Sequence, residues 1–142
     1  MILSMSLFTG VFAADEVVIN DSFENGVGEA WEYANDYAKS NIKVDSTTAA
    51  DGSKSLLFDD DTDKTSPILY SKKIDSKEGD VFDVSASFKL VEGARVAVFI
   101  KFSDAAGKQL SSASIGSTAT DWTSASKTVT APAGTAKFLG NK

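Results

Sequence analysis

The sequence predicts an all-β protein, an antiparallel β-sandwich of the jelly-roll type, on three observations. Short runs of β-branched and aromatic residues recur along the chain, glycine-containing turn pairs stand between them, and no stretch of twelve residues carries a convincing helical period. At 142 residues the chain can bury one sizeable core, and with neither an internal repeat nor a dividing linker, one domain is expected.

Taken in order, residues 2–14 are apolar and too short to span a bilayer, and Val11-Phe12-Ala13 before Ala14-Asp15 offers a signal-peptidase site. Residues 1–13 therefore read as a secretion leader, although the basic start is missing, and residues 14–142 as a domain working outside the cytoplasm. A buried N-terminal strand is the other reading of this segment. Strand composition or alternation follows over residues 17–23, 42–44, 54–58, 68–74, 81–90, 95–103, 110–115 and 122–130. Asn25-Gly26, Asp51-Gly52, Glu78-Gly79-Asp80, Glu92-Gly93 and Ala106-Gly107-Lys108 supply the turns.

Two of these strands define the faces. Phe82, Val84, Ala86 and Phe88 alternate with polar residues and should face the core, as should Val96, Val98, Ile100 and Phe102. The opposite face of the second strand carries Arg95, Ala97, Phe99, Lys101 and Ser103, which sets one aromatic ring between two cations on a surface expected to be polar. Trp31, Tyr33, Asn35 and Tyr37 share one face if their segment is extended, a pattern equally suited to core packing. Trp122 opens a strand, and Ala131-Pro132-Ala133-Gly134 turns the chain into a last extended segment over residues 135–138.

Absences narrow the chemistry. With no histidine and no cysteine, Ser-His-Asp and Cys-His catalysis, imidazole haem ligation, the usual zinc sites and disulfides are excluded. Carboxylates, hydroxyls and carbonyls remain, the ligand set of calcium and magnesium. A net charge of −6 without a long basic run argues against nucleic acid or an anionic membrane as partner, and favours a neutral or cationic ligand. The acidic run Asp59-Asp60-Asp61-Thr62-Asp63 opens like an EF-hand loop, but Lys64 and Tyr70 stand where glycine and glutamate are needed, so it reads as a solvated loop.

Phe23-Glu24-Asn25-Gly26, Trp31, Asp51-Gly52-Ser53-Lys54-Ser55-Leu56, Glu78-Gly79-Asp80-Val81-Phe82, Ser103-Asp104-Ala105-Ala106-Gly107-Lys108, Asp121-Trp122-Thr123 and Ala131-Pro132-Ala133-Gly134 occur in one order along the chain. In this the chain resembles the galactose-binding-like jelly-roll carbohydrate-binding modules of families 4, 9 and 22. The resemblance implies a secreted, non-catalytic domain that binds polysaccharide or oligosaccharide and holds an attached or partner catalytic domain near its substrate. It also implies a structural calcium, for which Glu24, Asp51 and Ser53 match two parts of the family's ligand set. The third part, an acidic residue on a last strand, has no counterpart before Lys142. Residues 135–139 are accordingly expected to pair only in part, leaving a sheet edge or a gap for a partner or the N-terminal apolar segment.

Sugars present C–H patches ringed by hydroxyls, so a binding site needs aromatic faces beside groups that hydrogen-bond. The residues able to supply them are Trp31, Tyr33, Tyr37, Tyr70, Arg95, Phe99 and Lys101, and the cations beside Phe99 would suit a carboxylated sugar such as a uronate. Two other classes stay open. A structural or adhesive β-sandwich of a surface protein would bury these aromatics or cover them with another domain. A lyase or glycosidase would need two neighbouring carboxylates from Glu24, Glu29, Glu32 and Asp36.

Overall fold

Alternation in the middle of the chain sets the architecture. The computed structural model describes residues 8–9, 16–17, 19–62 and 64–141. In chain order the strands are β1 (Phe8–Thr9), β2 (Glu16–Val17), β3 (Trp31–Tyr33), β4 (Ile42–Asp45), β5 (Ser55–Phe58), β6 (Leu69–Ser71), β7 (Ile74–Asp75), β8 (Val81–Phe88), β9 (Val96–Ser103), β10 (Gln109–Ser117), β11 (Thr123–Thr130) and β12 (Lys137–Asn141). One short helix, α1 (Asp36–Asn41), precedes β4.

The smaller sheet has the order β11-β8-β1-β2, the larger has β10-β9-β12-β6-β3 with β7 also on β12, and β4 and β5 form a separate antiparallel pair. Every pairing described is antiparallel, as the jelly-roll expectation requires. The expected leader over residues 1–13 lies outside the described residues except for Phe8 and Thr9, whose backbone pairs with Asp83 and Phe82.

Period-two alternation puts the apolar set of each long strand inside. Phe82, Val84, Ala86 and Phe88 are buried on β8, and Val96, Val98, Ile100 and Phe102 on β9, as their spacing predicts. The two sheets meet at an aromatic cluster: Phe82 stacks on Phe138 with centroids 4.4 Å apart, and Phe102 meets Phe138 edge-on at 5.5 Å. Such ring pairs add about 0.5–1.5 kcal/mol beyond the area they bury.

The tail departs from expectation. Instead of a half-paired edge, β12 lies inside the larger sheet, bonded to β9 along its whole length and on its other side to β7 and β6. The turn explains why. The Thr135 amide and hydroxyl both donate to the Pro132 carbonyl, at 3.2 and 2.7 Å, and the Ala136 amide reaches the Ser103 carbonyl at 2.8 Å. The chain thus crosses from β11 in one sheet to the flank of β9 in the other, where Phe138 drops into the core with none of its surface exposed.

A second departure concerns residues 31–38. Extended backbone stops at Tyr33 because Asn35 caps α1, its Oδ1 accepting the Ala38 amide at 2.9 Å. Tyr37 therefore leaves the face that Trp31 and Tyr33 share on β3.

Candidate functional site

Five strands of the larger sheet each place one residue in a single cross-strand row on its outer face. Glu32 on β3 opposes Tyr70 on β6, Tyr70 opposes Asn141 on β12, Asn141 opposes Phe99 on β9, and Phe99 opposes Ser114 on β10. Directly opposed residues share a face, and the flanking Leu69, Phe138, Val98 and Ile100 are buried on the other side. Phe99 keeps 40% of its surface exposed, and Tyr70 is half-buried. In the next row Leu139 opposes Lys101, which opposes Ser112.

Beside Tyr70 the surface opens into a cleft of about 610 Å³ bounded by Glu32, Lys72, Lys73, Lys101 and Leu139. Asn141 is 6% exposed, and its side-chain oxygen has no hydrogen-bond partner among the described residues. A buried acceptor left without a donor is costly, and this oxygen is closed to solvent beneath the row. Arg95 joins the row from its far end. Its Nη2 donates to Ser114 Oγ at 3.5 Å, and it lies across Gly116, where a Cβ would stand 2.9 Å from Arg95 Nε and 2.4 Å from the Val96 carbonyl.

Of the seven residues proposed to meet sugar, Tyr70, Phe99, Lys101 and Arg95 share this face. The other three do not. Trp31 is buried against Phe23, and its indole Nε1 donates to Asp21 Oδ2 at 2.9 Å. Asp21 Oδ1 accepts the Phe23 amide at 2.8 Å, holding Phe23 at a φ of 60°, a region non-glycine residues seldom occupy. Trp31 is thus a structural tie, a correction that follows from β3 turning its odd positions inward. Tyr33 likewise packs against the core. Tyr37, on α1, donates its hydroxyl to Asp61 Oδ1 at 2.7 Å, and this bond to a carboxylate holds the phenol above its ordinary range. Trp122 is half-buried against the core, its Nε1 donating to Thr48 Oγ1 at 2.8 Å.

Glu24, Asp51 and Ser53 fit a calcium ion poorly. Glu24 Oε1 accepts the amides of Ser53 and Lys54, both at 2.8 Å, and Oε2 accepts the Ser53 hydroxyl at 2.7 Å. Ser53 therefore acts here as a donor. The Lys54 ammonium donates to the Glu24 carbonyl at 2.8 Å, placing a positive charge already at the loop. These donors, the Ser53 hydroxyl first, hold the Glu24 carboxyl below its usual range. Gly52 permits the approach: at φ +68° a Cβ would stand 2.4 Å from Glu24 Oε1. Asp51 is exposed, and no group of three or more acidic residues suited to a metal occurs among the described residues.

The family model described as "Carbohydrate binding domain", for families 4 and 9, matches residues 15–139. The chain belongs to this family. Among solved structures, the module is similar to the N-terminal CBM22-1-CBM22-2 tandem domain from Paenibacillus barcinonensis Xyn10C, with a TM-score of 0.55 and 17% identity. The alignment covers 94% of the module and 42% of that chain, and at this identity it speaks to the β-sandwich fold alone. A search of curated proteins gives no match.

Sequence reasoning missed Asn141, Lys72 and Lys73. Lys72 was legible as the next outward position after Tyr70 in a strand read over residues 68–74. Asn141 was not, since the strand pattern was followed only as far as residue 139.

Proposed function

We propose that the module binds polysaccharide without catalysis, on the outer face of its larger sheet, as a secreted domain that keeps an attached or partner carbohydrate-active enzyme at its substrate. The cross-strand row Glu32-Tyr70-Asn141-Phe99-Ser114 carries this reading. Two aromatic side chains with accessible surface stand on either side of Asn141, and hydroxyl and carboxylate groups close the two ends. This is the mixture a sugar chain asks for: rings for its C–H faces and paired donors and acceptors for its hydroxyls. Family membership supports the same ligand class.

The non-catalytic reading draws support from the carboxylates. Glycoside cleavage by a retaining mechanism takes two carboxyl groups about 5 Å apart. The cleft lining includes Glu32 as its one acidic residue, and Glu24 is engaged by Ser53 and Lys54. A structural or adhesive sandwich would cover the face on which Phe99 stands exposed. Affinity electrophoresis against a panel of neutral and acidic polysaccharides tests the proposal. Retardation by at least one member, reduced in Phe99→Ala, is the expected result, and free migration in every gel would overturn it.

A further inference from the structure

The charge of the cleft runs against that of the chain. Three lysines, Lys72, Lys73 and Lys101, line it against the single Glu32, a local surplus of two positive charges in a protein of net charge −6. None of these lysines forms an ion pair among the described residues, where the one salt bridge is Lys137 to Asp75. Lys101 is half-buried between Leu139 and Ser112 on the neighbouring strands, so its stem is packed while its ammonium lacks a counter-charge. Arg95 adds a fourth cation on the same face beyond Phe99.

Lysine offers three donors and no acceptor, so a cluster of lysines is matched by oxygens that only accept. At physiological ionic strength, charges more than about 8 Å away are largely screened, and a ligand in the cleft responds to these lysines rather than to the remote carboxylates that set the net charge. Hydrogen bonds from an ammonium to a carboxylate are roughly twice as strong as those between neutral groups.

We propose that this cleft selects acidic polysaccharide, its lysines pairing with the carboxylates of uronate residues while Tyr70 and Phe99 take the rings. The inference rests on the carbohydrate-binding reading above and narrows its ligand to a charged class. Each uronate residue presents both a ring face and a carboxylate, and the row through Tyr70 and Phe99 runs beside the row that holds Lys101.

Isothermal titration with polygalacturonate, its methyl ester and poly-glutamate separates the two levels of the reading. The acid form is expected to bind roughly tenfold or more tighter than the ester, each exposed pairing contributing up to about fivefold. That preference should disappear near 1 M salt, where the screening length falls to about 3 Å. The triple variant Lys72→Ala/Lys73→Ala/Lys101→Ala should lose the preference while keeping the melting temperature of the parent. Equal binding of acid and ester, or a preference unchanged in the triple variant, overturns the selection for acidic chains and leaves carbohydrate binding standing. Poly-glutamate binding as tightly as polygalacturonate, or no binding to either pectic form or to a neutral panel, overturns the carbohydrate reading itself.

Discussion

Truncating Phe99 to alanine tests the site at the residue where structure and function separate most cleanly. A fully covered aromatic side chain buries about 150–250 Å², and the 40% of Phe99 that is exposed corresponds to about 80 Å² open to a ligand. At about 25 cal/mol per Å² this surface is worth about 2 kcal/mol if wholly covered, and about 1 kcal/mol if a sugar ring covers one side. With tenfold per 1.4 kcal/mol, Phe99→Ala should weaken binding roughly fivefold for one-sided cover and up to about 25-fold for full cover. Tyr70 stands two strands away, about 9.6 Å at the usual strand spacing, so Tyr70→Ala should lose a similar factor and the two losses should add. Titration calorimetry with the best-bound oligosaccharide reads the affinities, and thermal melting checks the fold. Binding unchanged within twofold in a folded Phe99→Ala protein would refute the placement of the site. A drop of more than about 4 °C in melting temperature would instead show that the ring is packed rather than presented.

Other outcomes follow from the scaffold. Phe138→Ala empties the centre of the aromatic cluster and should destabilise the protein by about 3–5 kcal/mol, read as a fall of about 10 °C or more in melting temperature; a small effect would place the tail back at an edge. Glu24 and Asp45 both titrate below their ordinary values of 4.5 and 3.8 because folded hydroxyls and amides, those of Ser53 and Thr47 foremost, favour the charged forms. The unfolded chain then binds protons first, so their contribution is present above about pH 4.5 and is lost as pH falls through the folded values. Melting curves in acid should show a shallower pH slope in Glu24→Gln than in the parent, and identical slopes would refute the assignment. Calcium added over a chelator control should raise the melting temperature by less than about 2 °C, since the Lys54 ammonium already meets the Glu24 carbonyl, whereas a larger rise would show the loop rebuilding around a cation.

How much was legible in the sequence differs between the scaffold and the site for a physical reason. Strands β8 and β9 declared both faces because one face of each is buried and period-two alternation leaves no other register. The same alternation, applied to residues 31–37, misled: a single capping asparagine converts the segment to helix after three strand residues, and local hydrogen bonding at Asn35 outweighs the pattern. For Trp31 the alternation correctly described a core face, and what it lacked was the indole's partner ten residues earlier, Asp21. The tail was read as an edge from its brevity in the sequence, but five residues suffice for a strand once neighbours wait on both sides.

Site residues were harder to find because the row is assembled from five strands of which only β9 and β10 are consecutive in sequence. Tyr70 and Phe99 could each be noticed as aromatic residues on polar faces, yet only the order β9-β12-β6 makes them two steps apart on one surface. That order depends on β12 entering between strands that precede it, and hence on the turn at Pro132 and on Phe138 reaching Phe82. The core contact and the binding row are therefore coupled: Phe138 faces inward to join the sheets, while Leu139 and Asn141, one and three residues on, face the cleft side. A change that loosens Phe138 should weaken ligand binding as well as stability, although its ring touches no ligand. Replacing Phe138 by leucine, which keeps most of the apolar volume, should retain both. If affinity instead survived intact while β12 lost its amide protection, Asn141 and Leu139 would have no part in the site, and the row would end at Phe99.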